Sequence, residues 1–542
     1  MKKGVFICKC GGSINNIDFQ AISNYIHSFN QIDCIKESQA FCLPEGKDLI
    51  KGEIIDSTLD RVIIIGCSLE EKRKIFEGIL KECGLSPQAL TMVNIRERCA
   101  WVHQDKRRAT EKAKRLIKAG ISHSSLLKIF EEEDISVNKN VLVVGGGIAG
   151  IEASLELSRL GCKVTLVEKE PELGGKVKRL ANIYEMKLKP GEFLSKKIKL
   201  IKESENIKVL TSTEPIKIEG NLGNFTVKLN KLSEEITIKV GAIILSVGCQ
   251  AKFMRKDYGF DLSRSVITHL QLEKLFINGE EIPQTICFLL DFANKSSRIS
   301  FLSALKNALL IKEKVASEVF ILYRQMQVSG YHLEKLYGEA REKGIIFFKY
   351  EDSPEISFEH SLVNISVFDP LLKKRVGISS HLLVVEEEIM PMSEFKELGL
   401  DSKGLYQEEN IWLYPAESNR RGIFFAGECR EQEDVFEALT DARAVAGKVY
   451  NLLRRGKITV NLNRAVVEVE KCALCLNCIR SCPYEAIGKE FYKDEDRYAA
   501  KVDKLSCQGC GICSSICPAG AIQLTQYENE QIITECASLL TD

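Results

Sequence analysis

The sequence predicts an α/β chain of several domains, closed by a small α+β module, and three observations predict it. Residues 141–144 form an apolar strand that runs into the turn GGGIAG and then into the helical spacing of 151–160. Short apolar strands alternate with helical periodicity on both sides of this unit. Near the C-terminus, eight cysteines fall into two matching runs. A chain of 542 residues with 45% apolar content exceeds what one hydrophobic core usually supports, so two to four domains are expected.

Taken in order, residues 2–7 and 61–65 read as β-branched strands ending at Gly or Cys, and 19–29 and 70–83 carry helical periodicity. A charged helix follows at 105–120, its cationic run 106–118 being a solvated face, and a polar joint at 131–140. Beyond the glycine turn, 205–247 alternates short strands around a turn at 221–224 and closes on the strand 242–247. A third α/β stretch runs over 285–348, a last long helix over 435–453, and a joint over 454–463. The expected domains are 1–136, 137–455 with a second dinucleotide-type subdomain at about 250–375, and 456–542.

Composition excludes some classes of function. Lys plus Arg and Asp plus Glu both number 75, so no global field favours nucleic acid or an anionic membrane. No apolar run approaches the length of a membrane span and no signal core opens the chain. With 20 cysteines, a reducing, cytoplasmic setting is expected.

The two runs are Cys472, Cys475, Cys478, Cys482 with Pro483, and Cys507, Cys510, Cys513, Cys517 with Pro518. Each has the CxxCxxCxxxCP spacing of bacterial two-cluster ferredoxins, in which three thiolates hold one cubane and the fourth crosses to the other. Cys472, Cys475, Cys478 and Cys517 are thus expected around one [4Fe-4S] cluster, and Cys507, Cys510, Cys513 and Cys482 around the second. A zinc ribbon or a disulfide knot needs only paired cysteines and leaves two complete runs unexplained.

GGGIAG supplies Gly145, Gly147 and Gly150 at GxGxxG spacing: the first for the tight turn, the second for approach of a pyrophosphate to the helix N-terminus, the third for close helix packing. Glu168, at the end of the next strand, suits ribose hydroxyls. Lys169, Gly174, Gly175 and Lys176 follow in EKEPELGGK. With GAIILSVG ending at Gly248 and GIFFAGE carrying Gly427 and Glu428, the pattern resembles FAD-binding flavoproteins with two dinucleotide-binding domains. Glu428 stands where most have Asp, and Lys176 where arginine is usual. At the place of the second, nicotinamide-binding turn the chain reads TICFLLDFANKSSRISFLSAL, with Asp291, Asn294, Ser296 and Ser297 and no glycine. Without glycine the backbone does not easily approach a pyrophosphate, so no NAD(P)H site is expected there.

Cys8 and Cys10 in FICKCGG, Cys42 in AFCLPEG, Cys67 in IIIGCSLEE and Cys99 in NIRERCAWVH have no regular spacing, though each follows a strand or sits at a turn. Together with DKRRATEKAKRL, GGGIAGIEASLEL, VEKEPELGGK and the cysteine-rich tail, this series resembles the A-subunit of heterodisulfide reductase over most of the chain. The resemblance implies FAD on a thioredoxin-reductase-like core and an N-terminal [4Fe-4S] cluster held by Cys10, Cys42, Cys67 and Cys99, with Cys8 a rival for the first place. GGKVKRLANIYEMKLKPGEFL runs on without a cysteine, which implies a compact form lacking the inserted ferredoxin domain of archaeal relatives. The cysteine-rich stretch before the helix matching 301–313 is absent too.

The same resemblance implies an oxidoreductase that passes electrons between flavin and clusters, with flavin-based electron bifurcation in many members. It implies partners similar to the reductase's B- and C-subunits, a hydrogenase, formate dehydrogenase or NADH dehydrogenase module as donor, and ferredoxin; it is compatible with a dimer of this polypeptide. No side chain stands out as a catalytic acid, base or nucleophile, and His103 and His332 read as ordinary polar or core residues. Cys34, Cys83, Cys162, Cys249, Cys287, Cys429 and Cys536 read as core or surface thiols. Two other readings compete: an NAD(P)H-dependent oxidoreductase like the small subunit of glutamate synthase, and a non-catalytic redox scaffold.

Overall fold

In the computed structural model the described residues are 1–129, 133–184, 189–292, 297–330, 332–359, 361–370, 372–392, 395–412, 414–460 and 463–540. They form two compact units, one made of residues 1–135 and 459–542, the other of 136–458.

The first unit opens with β1 (Lys3–Cys8), α1 (Phe19–His27), β2 (Cys34–Ser38), α2 (Pro44–Asp56), β3 (Arg61–Gly66), α3 (Leu69–Glu82), β4 (Leu90–Asn94) and α4 (Lys106–Leu126). The strands are parallel in the order β2-β1-β3-β4. RVIIIG and KGVFIC are buried along their whole length because helices cover both faces of the sheet. Sequence reasoning found only β1 and β3. The missed strands are short, and β2, CIKES, is half polar at the sheet edge. Helix α4 starts at the cap of Asp105, which accepts from Arg107 N–H at 2.8 Å, and buries Ala109, Ala113, Ile117 and Ile121 in one stripe. It runs past its expected end, since Gly120 is an interior contact: a Cβ there would lie 2.4 Å from Val93 Cγ2.

The same unit holds the C-terminal module, with antiparallel pairs Ala465–Val467/Ile522–Leu524 and Ile487–Tyr492/Arg497–Val502. Its last helix, Asn529–Leu540, packs on α4, where Gln531 donates to Leu126 O at 2.9 Å and Lys128 pairs with Glu528 at 2.6 Å.

The second unit contains two five-stranded parallel sheets. One has the order Ile423–Phe425, Ala242–Leu245, Val141–Val144, Val164–Val167, Ile207–Leu210. The other has Val266–Thr268, Leu382–Val385, Thr285–Leu289, Glu318–Tyr323, Ile346–Lys349, so it reaches beyond the expected limit near 375. Two three-stranded antiparallel sheets accompany them, Thr213–Asn221 to Glu234–Val240 and Glu355–Glu359 to Lys374–Ser380. No helix among the described residues is long and apolar enough to cross a membrane.

Candidate functional site

At the carboxyl end of Val141–Val144, Gly145 has φ +105°, and a Cβ on it would lie 2.3 Å from Ser246 O. Gly150 is equally constrained, with Gly145 O 1.9 Å from its would-be Cβ. Gly147, the N-cap of helix Ile148–Arg159, has nothing within 4 Å of such a Cβ. The helix N-terminus, with its unpaired N–H groups and positive dipole end, therefore faces open space, which fits a pyrophosphate. Glu168 is buried there and accepts from Gly146 N–H at 2.6 Å and Glu170 N–H at 2.8 Å.

The later glycines converge on this turn. Gly174 N–H donates to Gly146 O at 2.8 Å, and a Cβ on Gly175 would lie 2.9 Å from Gly147 Cα. Gly427, at φ +73°, leaves only 2.8 Å between a would-be Cβ and Ala149 Cβ. Gly248 is left-handed, at φ +66°, and precedes Cys249, whose thiol donates to Glu428 O at 2.8 Å. The two departures from the flavoprotein pattern face each other, because Lys176 Nζ lies 2.5 Å from Glu428 Oε2. Lys169 is exposed and reaches Met392 Sδ at 3.6 Å. Sequence reasoning missed Asp441, which accepts from Gly427 N–H at 2.8 Å and pairs with Arg430 at 2.5 Å; it sits in an ordinary helical stretch, DAR, with nothing local to mark it.

The second sheet is closed at its corresponding end. Asp291 is buried at φ +62°, and its N–H donates to Glu386 Oε2 at 2.6 Å. Arg324 Nε donates to Asp291 O at 3.2 Å and Tyr350 Oη to Leu290 O at 2.6 Å, while the Arg324 guanidinium lies over the Tyr350 ring. These residues follow the carboxyl ends of four neighbouring strands, where a nucleotide crevice would lie. Phe292 stacks on Tyr258 with ring centroids 5.4 Å apart, and Phe253 stacks on Tyr258 at 5.3 Å. Asn294 and Ser296 lie outside the described residues.

The C-terminal cysteines sort into two quartets. One cavity is lined by Cys472, Cys475, Cys478 and Cys517, a second by Cys482, Cys507, Cys510 and Cys513. Repeat-related backbone donors serve the crossing thiols: Ala521 N–H to Cys517 Sγ and Ala486 N–H to Cys482 Sγ, both at 3.3 Å. Burial pushes the Cys513 thiol up to about 11 and raises those of Cys478 and Cys482, so iron must displace their protons. Among the described residues no three His, Cys, Asp or Glu close around a point the size of one ion. A cubane is several atoms across, and its thiolates stand farther apart than the ligands of a single ion. Two cavities, each walled by four thiols and apolar side chains, fit it.

In the N-terminal sheet each strand delivers cysteine at or beyond its carboxyl end: Cys8 and Cys10 at β1, Cys42 after β2, Cys67 after β3, and Cys99 after β4 in the π-helical turn Arg96–Ala100. β1 and β3 are the adjacent strands at which the order reverses, the usual ligand position of such a sheet. Cys10 is left-handed, at φ +50°, with its Sγ 3.6 Å from Cys8 Sγ. Hydrogen bonds from Cys10 hold the Cys8 thiol down at about 6 and lower that of Cys67, with the Arg96 guanidinium adding to both; the Cys10 thiol is correspondingly raised. Cys42 packs beside the core on one face and Cys99 lies in the core of the other, with Cys10 touching both cores. The direct contacts thus join Cys8, Cys10 and Cys67. Sequence spacing hid this convergence, although cysteine after each successive strand was its signal.

The sequence matches the pyridine nucleotide-disulphide oxidoreductase family over residues 104–267 and the 4Fe-4S dicluster domain over 464–535. It is 29% identical to the iron-sulfur A-subunit of the CoB–CoM heterodisulfide reductase of Methanocaldococcus jannaschii, over 98% of this chain and 97% of that one. The A-subunit of the H(2)/formate:CoB-CoM heterodisulfide,ferredoxin reductase of Methanococcus maripaludis is 27% identical over the same shares.

The chain resembles heterodisulfide reductase A-subunits along nearly its whole length.

It is the more compact chain: the alignment with the M. jannaschii protein spans 644 positions against 542 residues here, so that relative carries stretches with no counterpart. Its α/β core and dicluster tail make it an oxidoreductase, an electron-transferring polypeptide using FAD and [4Fe-4S] clusters. Among solved structures, the thioredoxin reductase of Lactococcus lactis is 18% identical, with a TM-score of 0.43 over 58% of this chain and 99% of that one.

Proposed function

We propose that this chain is an internal conductor in a cytoplasmic heterodisulfide-reductase-like complex, passing electrons between a donor module, ferredoxin and B- and C-like reductase subunits, with flavin-based bifurcation. In this reading residues 1–136 carry one [4Fe-4S] cluster on Cys10, Cys42, Cys67 and Cys99, residues 137–455 hold FAD, and 456–542 hold two further clusters on the two quartets. FAD, when bound, takes electrons in pairs and releases them singly, which suits one-electron clusters.

The chain's own residues bind and orient. Gly145, Gly147 and Gly150 admit the pyrophosphate to the helix end, and Glu168 takes the ribose. Gly174, Gly175, Gly248 and Gly427 bring backbone close to the cofactor, with Lys169 beside them. Lys176 and Glu428 set a paired charge at the same cradle, so the lysine's field is partly cancelled until the pair opens.

One observation carries the reading: a glycine turn open to a dinucleotide stands on the same chain as two complete cysteine quartets. The stitched end of the second sheet supports electron supply through clusters and speaks against direct use of NAD(P)H. Anaerobic purification of the native assembly, with its subunits identified and cofactors counted, tests it. The expected result is about twelve irons, from three cubanes, and one FAD per chain; about eight irons would leave the N-terminal cysteines structural.

A further inference from the structure

The two cysteine runs repeat each other, and between the cysteines they differ at two backbone-special positions. In CALCLNC, Leu474 and Leu476 adopt φ +50° and +64°. In CQGCGIC the equivalent residues are Gly509 and Gly511, at φ +69° and +83°. Glycine takes this conformation freely, whereas leucine is strained in it. Both leucines line the cavity of the Cys472 quartet, and both glycines line that of the Cys507 quartet. The first run therefore holds two bulky apolar side chains against its cluster site in a conformation that glycine would adopt without strain.

We infer that Leu474 and Leu476 poise the two sites unequally, keeping the Cys472 quartet at a lower reduction potential than the Cys507 quartet. This rests on the reading that both quartets hold cubanes. Reduction adds negative charge to a site already bearing four thiolates, so water and N–H dipoles near the sulfurs raise the potential, and apolar cover lowers it. The repeat-related donors, Ala521 on Cys517 and Ala486 on Cys482, balance each other. Ala465, ahead of both runs, adds an N–H to Cys507 Sγ at 3.5 Å. Tyr484, Ile487, Ile512 and Leu524 line the Cys507 cavity as Ile479 and Ile522 line the other, so the contrast is local to the two positions between the cysteines, and there leucine and this extra donor act in the same direction. Arg497, bonded to the Glu470 and Cys472 carbonyls, opposes them at the first quartet, but its guanidinium reaches solvent and is screened. Electrons arriving on the tail consequently settle on the Cys507 side, and an acceptor of low potential is served from the Cys472 side.

The swap of equivalent residues is the test, read on the anaerobic full-length protein by redox titration followed by electron paramagnetic resonance. Cys475→Ser and Cys510→Ser variants mark which signal belongs to which quartet. Leu476→Gly is expected to move the Cys472-quartet potential upward and leave the other in place. Gly511→Leu, whose Cβ meets only Leu524 Cδ1 at 3.1 Å, is expected to move the Cys507-quartet potential downward. Gly509 is not used, because a Cβ there would lie 2.5 Å from Asn463 O. If Gly511→Leu does not fold, Leu474→Gly carries the test, since it relieves strain and is expected to raise the Cys472-quartet potential. Two clusters of equal or inverted potential, or potentials that ignore these substitutions, overturn the inference alone. A tail without iron overturns the cluster reading as well.

Discussion

The second unit builds the same strand, turn and helix twice and finishes them oppositely. After Val141–Val144 the chain spends glycines to keep the helix end bare, and Gly147 looks into open space. After Thr285–Leu289 it places Asp291 and Phe292, and side chains from three other strand ends fill the crevice. Topology alone therefore does not make a dinucleotide site. What matters is whether the carboxyl end of the sheet is left to a ligand or satisfied by the protein itself. One crevice is left open, and at the end of the other sheet Glu386, Arg324 and Tyr350 bond the backbone of Asp291 and Leu290.

The sharpest way to break this contrast is Gly147→Val. Its backbone, at φ −71°, suits any residue and an added Cβ meets nothing within 4 Å, so stability is expected to stay within about 0.5 kcal/mol of wild type. Bound FAD should fall from one per chain to near zero, read from the flavin absorbance of the purified protein. Retention of full flavin would remove this turn from the site. The converse change, Phe292→Ala, opens the second crevice by deleting a ring from the Phe253–Tyr258–Phe292 stack. It is expected to cost about 2 kcal/mol in denaturant unfolding, below the range for fully buried rings because Phe292 is half-buried. It should confer no NADH binding by calorimetry, since the backbone still lacks glycine.

A smaller effect is expected at the paired charges of the open site. Lys176→Met leaves Glu428 without its cation, and the added net negative charge should lower the flavin potential; Glu428→Gln should raise it. A spectroelectrochemical titration separates the two, and shifts of the same sign would contradict the pairing. A separate test is the pH dependence of stability, in which the two halves oppose each other. Burial, aided by Asp441, pushes Glu433 up to about 8 from 4.5, so the folded carboxyl keeps a proton the unfolded chain has lost, and its contribution fades as pH rises from about 4.5 to 8. Burial holds His269 down at about 3 from 6.5, so the unfolded chain binds the proton first and stability is lost as pH falls from about 6.5 towards 3. Glu433→Gln should flatten the alkaline side of a plot of Tm against pH, and His269→Leu the acidic side.

Much of this was legible in the sequence because its signals are local. GGGIAG and the two CxxCxxCxxxCP runs compress their chemistry into a few residues, and the structure gathers each quartet around its own cavity. The missing glycines after Leu290 were legible too. What fills the second crevice was not, since Tyr258, Arg324, Tyr350 and Glu386 come from segments scattered over more than a hundred residues and none carries a motif. The N-terminal cysteines are spread over successive strand–helix units, so the meeting of Cys8, Cys10 and Cys67 at the β1/β3 junction depends on a parallel sheet of which only two strands were recognised. Nor does any pattern in α4 name its partner; its apolar stripe says only that something covers it, and the helix Asn529–Leu540 packs on it.

The most direct test of the central claim is anaerobic mixing of the isolated, flavin-loaded chain with NADH or NADPH in a stopped-flow spectrometer. The account predicts that the flavin absorbance stays unbleached over many seconds, while a low-potential reduced ferredoxin bleaches it. Rapid bleaching by either nicotinamide would contradict it.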